Sequence, residues 1–215
     1  MMLALLLTGS GVKAWGQTTI ALQDFETSPA TPILTFTNTN GAYSTGVNTN
    51  GRPATNLFAS GARAWVANNT TSTLEFANQS TSGYKDCSVD FRIAAFSTNM
   101  SNGIDAADIV TVYISTDGGS TYSSELTLAG STSNQYWDFS STGSQSATFD
   151  GNNTPTAFTS STGTGGISKI TINIPNSYSQ IRIKISMLNN DNTEKWVIDD
   201  VRIRGTVAGI TPPSL

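Results

Sequence analysis

The run at residues 195–205, KWVIDDVRIRG, constrains this chain more than any other stretch. Its apolar residues alternate at either end, as in a β-strand, but the step from Ile198 to Val201 spans three residues. A strand absorbs such a slip through a β-bulge, which must lie at Asp199 and Asp200. Because adjacent carboxylates in an apolar strand are costly unless a cation neutralises them, the run predicts a cationic partner at the bulge.

A matching pattern lies near the other end of the chain, where Asp24 and Glu26 flank the aromatic Phe25. Alternate residues of a strand project to one face, so these two carboxylates are predicted to converge. We expect the first and last strands to lie together and their acids to hold Ca²⁺, which takes about six to eight oxygen ligands. The predicted ligands of this structural Ca²⁺ are Asp24, Glu26, Asp199 and Asp200.

The alternative interpretation is that these four residues are solvated acids at strand ends, with Lys195 and Arg202 as surface partners. Asp105 and Asp108, beside the loop after the long central strand, are further candidates for oxygen ligands. The metal interpretation is favoured because a phase slip in the last strand needs a cause.

Short segments of alternating apolar and polar residues predict an all-β chain. The clearest are residues 84–96, 168–174 and 180–188, and about ten to twelve such segments are separated by Gly and Asn turns. No stretch has a convincing helical period. The predicted fold is an antiparallel two-sheet β-sandwich of jelly-roll type.

The sequence divides into three regions. Residues 1–16 are typical of a secretory signal peptide, with an apolar run too short to span a bilayer, although a buried N-terminal strand is the alternative. Residues 17–205 form the predicted sandwich domain. Residues 206–215 contain a Pro-Pro pair and have the composition of a linker, so we expect the domain to continue into a downstream region of an exported protein.

Composition excludes several classes of function. The formal net charge of −4 offers no basic surface for nucleic acid or for anionic membranes, and we expect no membrane insertion. The absence of histidine removes His-based catalytic pairs and His-ligated zinc. The single cysteine, Cys87, lies in phase with core residues and is predicted to be a buried apolar group, not a reactive thiol.

The adjacent aromatics Tyr136 and Trp137 are the predicted ligand-binding residues. Neighbouring strand residues face opposite ways, so one ring is expected to be exposed among polar neighbours, where a sugar ring can stack on it. The alternative is that both rings belong to the core beneath a long loop. Trp65 and Trp196 are in phase with core residues and are predicted to pack inside.

Residues 115–122, STDGGSTY, resemble the Asp-box of sialidases with Tyr in the last place. Several copies recur in a sialidase, whereas one copy here predicts a hairpin in which Asp117 caps turn amides and Gly119 takes a positive φ. Paired carboxylates are the remaining route to catalysis, as in glycoside hydrolases. They lie on strands at the chain ends instead of in an aromatic cleft, so no catalytic residues are expected.

The ends of the chain resemble those of MAM-type and related jelly-roll modules. Phe25-Glu26 and residues 196–201, WVIDDV, look like the first and last strands that bind a structural cation in those modules. Residues 104–122 are similar to modules repeated in large secreted and surface proteins of the Bacteroidetes type. The chain lacks the paired cysteines of true MAM domains, so a bacterial jelly-roll relative is the better match.

The resemblance, which spans most of residues 20–205, implies a non-catalytic accessory module of a secreted or cell-surface bacterial protein. Such a module would bind a glycan or another cell-surface ligand, or mediate adhesion, beside downstream domains of the same polypeptide. The alternatives are a structural spacer in a large exported protein and, as the less favoured one, a glycoside hydrolase.

Overall fold

A computed structural model of the chain describes residues 16–45, 60–67, 69–97, 104–130, 144–159 and 168–209. Within these ranges the backbone forms fourteen β-strands and no helix, and so no helix that could cross a membrane. The strands are β1 (Thr18–Gln23), β2 (Phe36–Thr39), β3 (Ala42–Thr45), β4 (Arg63–Ala67), β5 (Thr71–Phe76), β6 (Gln79–Ser80), β7 (Tyr84–Ser97), β8 (Ile109–Ser115), β9 (Ser123–Ala129), β10 (Ser144–Thr148), β11 (Thr156–Thr159), β12 (Ser168–Ile174), β13 (Gln180–Leu188) and β14 (Glu194–Val207).

These strands form two sheets packed face to face. The first sheet has the order β10-β12-β7-β14-β4-β3, with β1 also paired to β14. The second has the order β11-β9-β8-β13-β5-β2, with β6 also paired to β13. The inner quartets β4-β14-β7-β12 and β5-β13-β8-β9 give the nested strand order of a jelly roll, so the predicted fold class is confirmed.

Two edge pairs depart from antiparallel geometry. β10 runs parallel to β12, and β11 runs parallel to β9. Each pair is separated in sequence by a connection long enough for the crossover that parallel neighbours require. The sheets are therefore mixed at these edges, while the central strands pair in antiparallel fashion.

The core follows from the alternation of the strands. In β13 the residues Ile181, Ile183, Ile185 and Met187 are all fully buried, while the side chains between them are partly exposed. Trp65 and Trp196 lie inside the core and Cys87 is buried, as the sequence predicts. β4 and β5, which are consecutive in sequence, lie in different sheets.

The slip in the last strand is a β-bulge. The register of β14 against β7 shifts between Asp199 and Arg202, and Asp200 has a φ of 47°. β1 pairs with β14 from Thr18 opposite Gly205 to Gln23 opposite Val201, which confirms that the first and last strands lie together. β14 continues to Val207, where it still pairs with β7.

The predicted hairpin between β8 and β9 is also confirmed. The Asp117 carboxylate accepts hydrogen bonds from Ser115 Oγ (2.7 Å), from the Thr121 amide (3.0 Å) and from Thr121 Oγ1 (2.6 Å). Gly119 has a φ of 101°. These bonds, that from the Ser115 hydroxyl foremost, lower the pKa of Asp117 below its ordinary value.

Candidate functional site

The sequence predicts that Asp24 and Glu26 belong to the first strand, but that strand ends at Gln23 and both acids lie just beyond it. The chain turns at Phe25, whose φ is 54° and whose amide donates a hydrogen bond of 2.7 Å to the side-chain oxygen Oε1 of Gln23. Asp24 accepts hydrogen bonds from the amides of Glu26 (3.1 Å) and Ala30 (2.8 Å). The period-two argument for convergence therefore does not apply to these acids, because the backbone here is not extended.

Three of the predicted ligands nevertheless reach one segment, residues 60–63, at the start of β4. Glu26 Oε1 accepts hydrogen bonds from the amides of Ala62 (2.6 Å) and Arg63 (3.1 Å). Asp199 Oδ2 accepts a hydrogen bond from the Ser60 amide at 2.7 Å, and Asp200 Oδ2 accepts one from Ser60 Oγ at 2.7 Å.

The two acids of the bulge have different environments. Asp199 is fully buried, and burial, with the neighbouring Asp200 charge as a lesser cause, raises its pKa to about 6 despite the Ser60 amide. Asp200 is partly exposed and is paired with Arg92, whose Nε lies 3.0 Å from Oδ2. Among the described residues no three Asp, Glu or Cys side chains form a ready-made metal cluster. The Ca²⁺ site stays a prediction.

Tyr136 and Trp137, the predicted ligand-binding residues, lie outside the described residues. A different aromatic surface lies on the outer face of the second sheet. We call it the tyrosine patch, and it consists of Glu75, Tyr113, Tyr122, Arg182 and Lys184.

Register brings the tyrosine patch together from residues far apart in sequence. Lys184 of β13 lies opposite Glu75 of β5 on one side and opposite Tyr113 of β8 on the other. Tyr122 directly precedes β9 and completes the group. Lys184 Nζ lies 4.7 Å from the ring centroid of Tyr113 and 4.0 Å from that of Tyr122, close enough for cation–π attraction to both rings.

Polar contacts fix the orientation of the patch. Tyr122 Oη donates a hydrogen bond of 2.9 Å to Glu75 Oε1, and Arg182 Nη2 lies 2.8 Å from the same oxygen. Arg182 Nε also donates to the Phe76 carbonyl at 3.0 Å. Burial, with the bond to Glu75 as a further cause, raises the pKa of Tyr122 to about 12, so its hydroxyl is protonated at neutral pH.

A line of hydroxyl side chains crosses the same face beside the tyrosine patch. Ser186 lies opposite both Thr73 and Thr111, and Thr111 in turn lies opposite Thr127. All four side chains are partly exposed. This hydroxyl row spans four strands, or about 14 Å at ordinary strand spacing. The face thus offers aromatic rings, two cations and a row of hydrogen-bonding groups to solvent.

Sequence reasoning missed this surface. The alternation in IVTVYIS (residues 109–115) places Tyr113 on the face of the strand that points away from the core. The same pattern in β13 points Lys184 outward. Those signals show that each side chain is outward-facing. They do not show that the two strands are neighbours in matching register, which depends on long-range pairing.

A shallow pocket of about 340 Å³ lies at the opposite sheet, beside Gln17, Asp86 and Cys87. Burial, with the nearby Asp86 charge as a lesser cause, raises the pKa of the Cys87 thiol. A raised thiol pKa reduces the thiolate fraction at neutral pH, so this pocket lacks an activated nucleophile.

Comparison with known proteins gives structural matches only. No protein-family model matches the chain, and no curated protein matches it. TmCBM61 in complex with β-1,4-galactotriose is similar at 13% identity over 84% of this chain and 92% of that chain, with a TM-score of 0.44. The K3 cleaved adhesin domain of Lys-gingipain from Porphyromonas gingivalis W83 is similar at 14% identity over 88% of this chain and 99% of that chain, also with a TM-score of 0.44.

A third match is to the CBM22-1–GH10 modules of Clostridium thermocellum endo-1,4-β-D-xylanase 10B complexed with xylohexaose. It has 10% identity over 91% of this chain and 30% of that chain, with a TM-score of 0.38. The strand order and register described above, not these similarities, establish the sandwich.

Proposed function

We propose that this chain is a non-catalytic glycan-binding or adhesive module of a secreted or cell-surface bacterial protein, and that it binds through the outer face of the second sheet. The observation that carries the proposal is the tyrosine patch beside the hydroxyl row. Aromatic rings stack on the apolar faces of sugar rings, while convergent polar groups bond to sugar hydroxyls. Both kinds of group occur here on one face of a rigid sheet.

The chemistry of the patch favours binding over hydrolysis. Glu75 is its sole carboxylate, and that carboxylate is already engaged by Arg182 and Tyr122. Glycoside hydrolysis requires two carboxyl groups on either side of the scissile bond. A spacer domain without a ligand remains the alternative, and the binding experiment below separates it from a glycan-binding module.

The binding test is a titration of residues 17–215 with a panel of soluble oligosaccharides that includes β-1,4-galactotriose and xylohexaose. We expect at least one sugar to bind, and we expect Tyr113→Ala and Tyr122→Ala each to weaken that binding by a factor of about 5 to 150. The loss of one base-stacking or ring-stacking platform is worth about 1–3 kcal/mol in related aromatic contacts, which corresponds to this change.

Tyr43→Ala is the matched control, because Tyr43 is 47% exposed but lies on β3 of the first sheet. It should leave sugar binding unchanged, with folding of every variant checked by thermal unfolding. If sugar binding is unchanged by both tyrosine substitutions, the binding site lies elsewhere, and Tyr136 and Trp137 are the next residues to substitute. Failure of every sugar to bind would favour the spacer.

The proposal also includes a structural Ca²⁺ at Asp24, Glu26, Asp199 and Asp200. Its support is that three of these carboxylates bond to the same segment and that Asp199 is buried and forms no ion pair with a Lys or Arg of the described residues. These residues would supply carboxylate oxygens, the ligands that Ca²⁺ prefers. Thermal unfolding with CaCl₂ and with EDTA tests this part: we expect a rise of several degrees with Ca²⁺ that is smaller in Asp199→Ala.

A further inference from the structure

A second group of buried polar side chains lies where the chain passes from the second sheet to the first. Asp108, directly before β8, is fully buried. Asn189, directly after β13, is 1% exposed, and Glu194, the first residue of β14, is 4% exposed. None of them belongs to the surface proposed above to bind a glycan.

The fold directs these side chains toward one another. Val110 pairs with Met187, so continuation of the same register places Asp108 opposite Asn189. All three side chains lie in phase with core residues of their strands and therefore face the space between the sheets. The Asn190 amide donates to Asp108 Oδ1 at 3.0 Å, and Trp196 Nε1 of β14 donates to the Leu188 carbonyl at 3.0 Å, which holds the end of β13 against the start of β14.

Both carboxylate oxygens of Asp108 accept hydrogen bonds from backbone amides, Oδ1 from Asn190 and Oδ2 from Asp105 (2.8 Å), but other polar atoms of this group lack partners. Within the described chain, Asn189 Nδ2, Asn189 Oδ1 and Glu194 Oε2 are buried without any hydrogen bond. No Lys or Arg of the described residues forms an ion pair with Asp108 or Glu194. An unpaired buried amide costs about 1–3 kcal/mol, and an unpaired buried carboxylate costs more.

The electrostatics of the two carboxyl groups match this geometry. Burial, followed by the charges of Asp108 and Asp105, raises the pKa of Glu194 to about 7. Burial is also the main cause of the raised pKa of Asp108, although the amides of Asp105 and Asn190 oppose it. The two carboxyl groups lie close enough to share a hydrogen bond. They therefore repel each other whenever both are ionised.

We infer that Asp108, Glu194 and the Asn189 side-chain oxygen form a binding site for a divalent cation of the Ca²⁺ type. A cation would neutralise both carboxylates and use the orphaned amide oxygen, and backbone carbonyls and water would complete the oxygen ligands that Ca²⁺ requires. A trapped water molecule would bond to Asn189 but would leave the repulsion between the carboxylates in place. A catalytic role for this pair is excluded because the side chains are buried between the sheets, out of reach of a sugar chain.

This site is separate from the terminal acids. Glu194 and Asp199 are five residues apart on β14, or roughly 17 Å along an extended strand. A cation here would join β8, β13 and β14 across the two sheets, whereas the terminal acids join the first strand, the last strand and residues 60–63. The two sites can therefore be removed one at a time.

Equilibrium dialysis against CaCl₂ tests the inference directly, with wild type, Glu194→Gln, Asp108→Asn and Asp199→Asn compared. We expect one Ca²⁺ to be lost, or its affinity to fall at least tenfold, in both Glu194→Gln and Asp108→Asn. That ion should be retained in Asp199→Asn, whether or not the terminal acids bind an ion of their own. Glu125→Gln is the matched control, because Glu125 is another buried Glu (5% exposed) with an unpaired oxygen, but it lies on β9.

Thermal unfolding supplies a second readout whose sign is specific to a cation site. In EDTA we expect Glu194→Gln to unfold at a higher temperature than wild type, because the substitution removes a buried, repelled carboxylate. In saturating CaCl₂ the order should reverse. If Ca²⁺ shifts wild type and Glu194→Gln by the same amount and dialysis shows the same number of ions, the inference is wrong and the pair instead shares a proton.

Discussion

Two buried carboxylate regions of this molecule are built in opposite ways. Asp90, on the outer face of the first sheet, is 2% exposed and has three cations around it: Arg204 Nε at 2.6 Å, Arg202 Nε at 3.5 Å and Lys169 Nζ at 4.0 Å. The two arginine Nε groups are not oriented to donate hydrogen bonds to the Asp90 carboxylate, so these contacts are ion pairs only. Asp108 and Glu194, between the sheets, are equally buried and form no ion pair with a Lys or Arg of the described residues.

The difference shows that burial of a carboxylate is not itself evidence of a ligand. Asp90 is neutralised by the chain's own side chains, and no ion needs to bind there. Asp199 is an intermediate case: it is fully buried and accepts hydrogen bonds from the amides of Ser60 and Asp200, as Asp108 does from those of Asp105 and Asn190, but its neighbour Asp200 is partly exposed and paired with Arg92. Within the part of the chain that the structure describes, only Asp108 and Glu194 combine two buried carboxyl groups with a neighbouring amide that lacks partners. That combination, not acidity alone, points to an external cation.

Removal of the Asp90 charge should have the largest effect. Asp90→Asn keeps the shape of the side chain but leaves Arg202, Arg204 and Lys169 close together without their anion. We expect the free energy of unfolding to fall by about 4 kcal/mol, the usual result when one partner of a buried ion pair is lost. Urea denaturation measures it, and Asp86→Asn, at an exposed Asp of the same strand, is the control. Unchanged stability would show that solvent stabilises the three cationic side chains as well as Asp90 does.

The second largest effect is expected in the pH dependence of stability, to which the region of Asp108 and Glu194 should contribute through Glu194. In EDTA, Glu194 has a folded-state pKa of about 7, whereas glutamate in an unfolded chain titrates near about 4.3. The folded state therefore binds more protons between these values, and the free energy of unfolding falls as pH rises through them. The contribution of Glu194 is on the order of 3 kcal/mol, fully present below about pH 4 and lost by about pH 7.

Urea denaturation between pH 4 and 7 measures this loss, with wild type and Glu194→Gln compared in EDTA. The comparison isolates Glu194 from Asp199, whose raised pKa of about 6 gives a loss of the same sign in both proteins. Parallel curves for the two proteins would contradict the assignment to Glu194. Addition of CaCl₂ should flatten the wild-type curve, since a bound cation keeps the carboxylates ionised.

Period-two alternation was enough to predict the sandwich and much of its core. The apolar residues of β12 and β13 are buried as their spacing indicates, and the three-residue step in β14 is a bulge at Asp199 and Asp200. These are local properties of single strands. The parallel edge pairs were not predicted, because they depend on how crossovers between distant segments close.

The candidate sites were less predictable for the same reason. The pairing of β1 with β14 was anticipated from acids at both chain ends. The sequence pattern does not predict that β1 ends at Gln23, because the turn at Phe25 depends on a hydrogen bond from the Phe25 amide to the Gln23 side chain. The sequence makes Asp108 a candidate for an additional oxygen ligand beside the terminal acids. Its actual neighbours are distant in sequence: the pairing of β8 with β13 brings Asn189 to it, and the packing of the two sheets brings Glu194 of β14.

A third and smaller effect on stability is expected at Glu26, whose carboxylate accepts hydrogen bonds from backbone amides. A Cβ atom on Gly61 would lie 2.1 Å from Glu26 Oε1, so Gly61→Ala must displace the oxygen that binds the amides of Ala62 and Arg63. We expect a loss of about 1–2 kcal/mol, the range for one or two hydrogen bonds, in urea denaturation. Gly16→Ala is the control, with wild type and both variants prepared as residues 16–215, because no atom lies within 4 Å of a Cβ there. Equal stability of the two variants would mean that Glu26 finds equivalent partners.

The weakest contact of Asp90 should have the smallest effect. Lys169 lies at 4.0 Å with a side chain that is 38% exposed, whereas Arg204 lies at 2.6 Å and is 25% exposed. Exposed ion pairs contribute roughly 0–1 kcal/mol, so Lys169→Met should lower the free energy of unfolding by less than about 1 kcal/mol, and Arg204→Met should lower it by more. Urea denaturation in low and high salt measures both, and salt should reduce the Lys169 effect further. A Lys169→Met loss as large as that of Asp90→Asn would mean that all three cations are needed to keep Asp90 buried, and the contrast with the uncompensated pair would then be sharper than the distances alone indicate.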